Sequence, residues 1–272
     1  MKYLAAVDLS EASLLALDAL RAFAGQEGGD VTLLHVVDLD LYTAGGSVPG
    51  IMEFAKERLA QESERLAGCG LHVTAVRVEQ GDSTQTILRV AAEENAELVI
   101  MTSLGKGVRT GRLFGSTAER VASSGKLPVL IERVGIAAGD GSCCRMSERS
   151  PFERTLIAVD LEHDPAAVIG FVKTLPGLGA MRVVHVVRDA AQLDEAQALL
   201  DQFAPTGVEA ESTALVGLPA EKIVADAAGW GASAIALSPC AHGALHRALW
   251  GSVARHVALK AECSVLFVPP TS

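Results

Sequence analysis

Short apolar runs alternate with longer stretches of helical periodicity along the first half of the chain. The runs lie near 3–7, 31–37, 71–78, 97–102 and 128–133, and their nearly continuous apolar character predicts strands buried on both faces. Between them, apolar residues recur at helical spacing near 11–24, 51–67, 83–95 and 115–123. Strands separated in this way predict an α/β domain: a doubly wound, five-stranded parallel sheet, with right-handed crossovers that place helices on both faces. The second half repeats the plan, with strands near 155–159, 181–187, 208–215, 232–238 and 264–268. Its third helix opens at "GLPAEKI", where Pro219 suits a first helical position that needs no N–H.

The repetition extends to the letters. "KYLAAVDLSEAS" (2–13) corresponds to "RTLIAVDLEHDP" (154–165), "VTLLHVVD" (31–38) to "MRVVHVVRD" (181–189), and "FGSTAERVASSGKLPVLIERV" (114–134) to "WGSVARHVALKAECSVLFVPP" (250–270). This predicts a tandem duplication: one domain over 1–134, a linker rich in Gly, Ser and charge over 135–153, and a second domain over 154–272. The second half is shorter between His185 and Ser238 than the first is between His35 and Thr102, and is expected to lack the equivalent of "LDLYTAGGSVPG" after its second strand.

Charge narrows the range of partners. A formal net charge of −10 opposes general affinity for nucleic acid or anionic membranes, while leaving room for a local basic patch that holds a small anion. Asp8, Glu11 and Asp18 interrupt the apolar N-terminal stretch, no run has the length of a membrane helix, and a cytoplasmic protein is expected. The five cysteines, Cys69, Cys143, Cys144, Cys240 and Cys263, form no C-x-x-C pair and suit reduced thiols, with a redox role for the adjacent Cys143 and Cys144 as the lesser reading.

Three features together carry a resemblance: a first strand that ends in Asp, "HV" near the end of the second strand, and a glycine loop that runs into "GST" and then "PVLIER". The chain resembles the universal stress protein family in its tandem form. That family's nucleotide loop reads glycine, two residues, glycine, nine residues, glycine, then serine or threonine. Here the same positions are Thr102, Gly105, Gly115 and Ser116 in the first half, and Ser238, Ala241, Gly251 and Ser252 in the second. The resemblance implies sheet order 3-2-1-4-5 in each domain, with an adenine nucleotide where strands one and four diverge. It also implies an internal pseudo-dimer paired through the fifth strands, and the whole chain is a candidate homodimer. Ala6, Asp8, Val36, Met101, Thr102 and Thr117 fall at or beside the family's ligand positions, and Asp160 and Val186 are their counterparts in the second half.

The loop's own chemistry suits an anion. Gly105 and Gly115 allow close backbone approach, the helix opening at Ser116 aims free N–H groups outward, and Lys106, Arg109 and Arg112 add positive charge. Two plainer readings stay open: Ser116 with Glu119 spells an S-x-x-E capping box, and Asp8 with Glu11 spells a helix cap. Thr102 stands where the family has glycine, so its branched side chain narrows the site or turns away, favouring AMP over ATP. The second half has Ala241 in the loop and Arg247 as its fixed charge, with His242 and His246 read as solvated rather than as metal ligands, and its site is expected to be degenerate. His35 and His185 read as structural, and Phe114 and Trp250 as packing residues.

The reading is a regulator or sensor of the stress response that binds ATP or AMP, with Mg2+ as a candidate companion ion, in its N-terminal domain. No catalytic or metal-ligating set is assigned, and ATP hydrolysis is expected to be slow and incidental at most. The alternative is a scaffold that binds no nucleotide and acts through an unidentified protein partner.

Overall fold

The computed structural model describes residues 1–25, 27–38, 48–104, 114–136, 143–145, 149–203, 209–239 and 251–270. The chain divides into two compact units, Met1–Val121 with Val129–Arg145, and Ala122–Pro128 with Met146–Ser272.

The first unit runs β1 (Lys2–Ala6), α1 (Glu11–Ala24), β2 (Asp30–Val37), α2 (Val48–Ala67), β3 (His72–Gln80), α3 (Ser83–Glu93), β4 (Leu98–Thr102), α4 (Ser116–Ser123) and β5 (Val129–Glu132). Its strands are all parallel, in the order β3-β2-β1-β4-β5. Every residue of β4 and β5 is buried, as the continuous apolar runs demand. Helix α1 buries Ala16, Leu17, Leu20 and Phe23, and the ring of Phe23 meets Tyr3 of β1 edge to face, with centroids 5.7 Å apart.

The second unit repeats the scheme: β8 (Arg154–Ala158), α5 (Ala166–Lys173), β9 (Ala180–Val187), α6 (Leu193–Leu200), β10 (Ala210–Val216), α7 (Pro219–Trp230), β11 (Ala234–Leu237), α8 (Ser252–Lys260) and β12 (Ser264–Phe267). Its parallel order is β10-β9-β8-β11-β12. Pro219 opens α7 as expected.

Two details depart from the sequence reading. The stretch read as linker carries an antiparallel ribbon, in which β6 (Val134–Ile136) pairs with β7 (Cys143–Arg145), and β7 packs against α1. The shortening of the second half also falls largely on a helix: α6 has 8 residues where α2 has 20. Val48, Pro49 and Gly50, at the end of the stretch thought to be lost, form the first turn of α2, while 39–47 lie outside the described residues. Among the described residues, no helix is long and apolar enough to cross a membrane.

Candidate functional site

Strands β1 and β4 are neighbours whose connections leave in opposite directions along the sheet, and such a switch point opens a crevice at the strands' carboxyl ends. Ala6 ends β1, Met101 and Thr102 end β4, and Val36 lies near the end of β2 on the other side of β1. The fold therefore brings these sequence-selected residues to one end of the sheet.

The end of β1 is fixed by the histidine of "HV". Val7 donates its N–H to Leu34 O at 2.9 Å, and His35 Nδ1 lies 2.8 Å from Val7 O, so the ring donates there. His35 is 2% exposed, a structural role as expected. The second unit repeats both bonds, with Val159 N to Val184 O at 2.9 Å and His185 Nδ1 to Val159 O at 3.0 Å.

Beyond that pin the chain turns sharply. Leu9 has φ 63°, a left-handed conformation that costs a branched side chain about 1 kcal/mol. Asp8 Oδ1 accepts from Ser10 N at 3.0 Å and from Ser10 Oγ at 2.5 Å. Ser10, not Asp8, is the N-cap of α1, accepting from Ser13 N at 3.2 Å, and Ser13 Oγ accepts from Asp8 N at 3.1 Å. The helix-cap reading of Asp8 is thereby corrected. Its carboxylate is held at the crest of β1 by the capping serine, whose own oxygen does the capping.

At the end of β4, Thr102 is buried and its hydroxyl donates to Leu104 O at 2.6 Å, turned into its own loop. Ser103 closes the base of that loop: its carbonyl accepts from Gly115 N at 2.8 Å, its N–H donates to Glu132 O at 2.9 Å, and its Oγ accepts from Val134 N at 3.3 Å. Gly115 O takes the first helical bond, from Glu119 N at 2.9 Å, so Gly115 occupies the N-cap of α4 and Ser116 and Thr117 lie inside the first turn. Ser116 is one position too late for the capping box, which is corrected too. Phe114 is buried, a packing residue as expected.

The second unit shares the closure and lacks much of the rest. Gly251 is the N-cap of α8 with no side chain capping that end, its N–H reaches Pro239 O at 3.1 Å, and Ser252 opens the helix. Ser238 is exposed, whereas Thr102 is buried. Asp160 Oδ1 accepts from Glu162 N at 3.1 Å, but α5 begins only at Ala166, so an exposed turn replaces the first turn seen in α1. Asp160, Glu162 and His163 there offer three donor atoms within 4.8 Å of one another, on a surface where such groups commonly gather without an ion. Val186 is buried in β9. Gly105, Lys106, Arg109 and Arg112, with Ala241, His242, His246, Arg247 and Trp250, lie outside the described residues.

Sequence reasoning overlooked Ser10, Ser13 and Ser103. The first two were signalled by S-x-x-S at the start of a helical period, and Ser103 by the contrast with Pro239 in the repeat.

The fold, with the same switch point in each unit, defines a duplicated, doubly wound α/β protein. The sequence model of the universal stress protein family matches residues 1–133 and 158–269, and the chain belongs to that family, in its tandem form. A universal stress protein of Mycobacterium tuberculosis strain H37Rv is 33% identical over 138 residues, 48% of this chain and 44% of that protein. The chain thus spans about half the length of that curated relative in the match. One from Methanocaldococcus jannaschii is 28% identical over 151 residues, 48% of this chain and 93% of that protein. The crystal structure of a universal stress protein from Archaeoglobus fulgidus matches with TM-score 0.73 at 22% identity, covering 100% of this chain and 97% of that one, which shows the fold.

Proposed function

We propose that the N-terminal unit binds an adenine nucleotide reversibly, and that the chain acts in the cytoplasm as a regulator or sensor of the stress response. One observation carries this reading. At the switch point of the sheet, a carboxylate oriented by Ser10 stands on the crest of β1, while the adjacent strand leads to a helix whose N-cap is a glycine rather than a capping side chain. A glycine there leaves the first-turn N–H groups of α4 for an anion, and the helix dipole favours one. Asp8, Ala6, Val36 and Met101 would line the adenosine portion, and Gly105, Lys106, Arg109, Gly115, Ser116 and Thr117 the phosphates. A magnesium ion would arrive with a triphosphate and screen its charge. The hydroxyl of Thr102, bonded to Leu104 O, tightens the start of the loop and favours the smaller AMP. In the second unit, Ser238 and Ala241 replace the threonine and glycine, and its site is read as degenerate.

Calorimetric titration of the full chain with ATP, ADP and AMP tests this. One site per chain is expected, lost in Gly115→Val and kept in Gly251→Val. Both variants alter a helix N-cap glycine, so Gly251→Val controls for the loss of such a glycine. Tighter binding of ATP than of AMP would remove the preference drawn from Thr102. Absence of binding by the wild-type chain favours the scaffold that acts through a protein partner.

A further inference from the structure

The N-terminal loop and the ribbon β6–β7 meet at one buried serine. Ser103 is 1% exposed, and its three bonds run to Gly115 at the mouth of α4, to the backbone of Glu132 and to the N–H of Val134 at the start of β6. Glu132 is in turn 2% exposed, and its carboxylate holds Arg145 of β7, with Arg145 Nε 2.8 Å from Oε1. A continuous series of bonds therefore leads from the first turn of the proposed phosphate-binding helix to the far strand of the ribbon. The ribbon has three residues in each strand, too little to persist in water alone, so its order depends on what it packs against.

The duplication supplies an internal control. Strand pairing puts Pro239 at the position of Ser103, Val268 at that of Glu132 and Pro270 at that of Val134. Pro239 and Pro270 have no N–H, Pro239 has no hydroxyl and Val268 has no carboxylate, so none of the bonds to Glu132 or Val134 has a counterpart. The closure that remains, Gly251 N to Pro239 O, is the one the loop itself needs. The first unit thus carries extra hardware whose geometric effect is to tie loop to ribbon.

We propose that Ser103 is a positioning residue that couples occupancy of the N-terminal phosphate loop to docking of the β6–β7 ribbon. The proposal rests on the reading of that unit as a nucleotide binder. Phosphate bound at the first turn of α4 fixes Gly115, Gly115 fixes the Ser103 peptide, and Ser103 in turn fixes Glu132 through its N–H and Val134 through its hydroxyl as the platform for the ribbon. By linkage, an undocked ribbon weakens the phosphate by the same factor.

Hydrogen exchange of the full chain, with and without saturating ATP, reads the amides of Val134–Ile136 and Cys143–Arg145, while equilibrium dialysis measures bound ATP separately. ATP is expected to slow ribbon exchange in the wild type and to slow that of Val134–Ile136 clearly less in Ser103→Ala, which loses the bond to Val134 N and keeps the two backbone bonds. Arg145→Gln, which loosens the ribbon from outside the loop, is expected to lower ATP affinity about 5-fold or more, with adenosine affinity unchanged. Ribbon exchange indifferent to bound ATP overturns the coupling and leaves the nucleotide reading standing. Equal losses for ATP and adenosine in Arg145→Gln also overturn it, because a merely structural defect would weaken both. No nucleotide bound to the wild type when the dialysis is run with ATP and again with AMP overturns both readings.

Discussion

Tyr3 and Gly29 show how closely single positions are set. The Tyr3 ring passes so near Gly29 that a Cβ there would lie 2.4 Å from its Cε2 atom, whereas a Cβ on Gly115 would meet, among the described residues, Ser103 O at 3.5 Å. Gly29→Ala is therefore expected to cost ~1–3 kcal/mol through overpacking, and Gly115→Ala under ~1 kcal/mol, as read by chemical denaturation. The Tyr3 hydroxyl is buried with no partner among the described residues, and burial, with Glu27 and Glu97 nearby, pushes its pKa from 10.0 up to about 12. A raised folded pKa means that stability is intact below pH 10.0 and falls as pH rises through about 12. Tyr3→Phe is expected to flatten that alkaline loss and to be neutral or stabilising near pH 7. An unchanged alkaline limb would remove this role for Tyr3. At this scale the letters revealed the structural histidines His35 and His185 but misplaced two caps. A cap depends on which residue leaves helical geometry first, and a left-handed Leu9 decides that in three dimensions.

Helix α3 is fastened to β3 by a cluster of ion pairs. Arg77 reaches Glu79 at 2.6 Å, Glu93 at 2.8 Å and Glu94 at 2.9 Å, while Arg89 reaches Glu79 at 2.9 Å and Glu93 at 2.6 Å. For Glu79, desolvation works to raise the pKa, but hydrogen bonds from Arg77 and Arg89 outweigh it and the net shift is down; for Glu93, bonds from Arg89 and Arg77 lower it. Lowered folded values mean that the contribution is present above the ordinary glutamate pKa of about 4.3 and is lost as pH falls below it. Arg77→Gln is expected to cost about 1 kcal/mol at pH 7 and much less near pH 3, by urea unfolding at both values. An equal cost at both would contradict the network. Elements of this length were legible because strand and helix periods differ over many residues. The three-residue strands of the ribbon span less than two periods of any pattern, and the pairing of Arg145 in β7 with Glu132 is identified only by the fold.

Across the whole molecule, the duplication is what the sequence disclosed most fully: two sets of five parallel strands in the same order, each with its switch point at the same place. The asymmetry between the halves was legible only in part. Ser238 and Ala241 were visible as departures from the loop pattern, but the late start of α5 and the bonds around Ser103 depend on backbone placement that no spacing reveals. The two units therefore differ in how their loops are anchored as well as in which glycines they keep. The central claim, one occupied site in the first unit, is tested by denaturing freshly purified protein and identifying the released small molecules by mass spectrometry, with stoichiometry per chain. One adenine nucleotide per chain is predicted, absent from Gly115→Val and retained by Gly251→Val. No released nucleotide from the wild type, with none taken up on adding ATP, ADP or AMP, would contradict it.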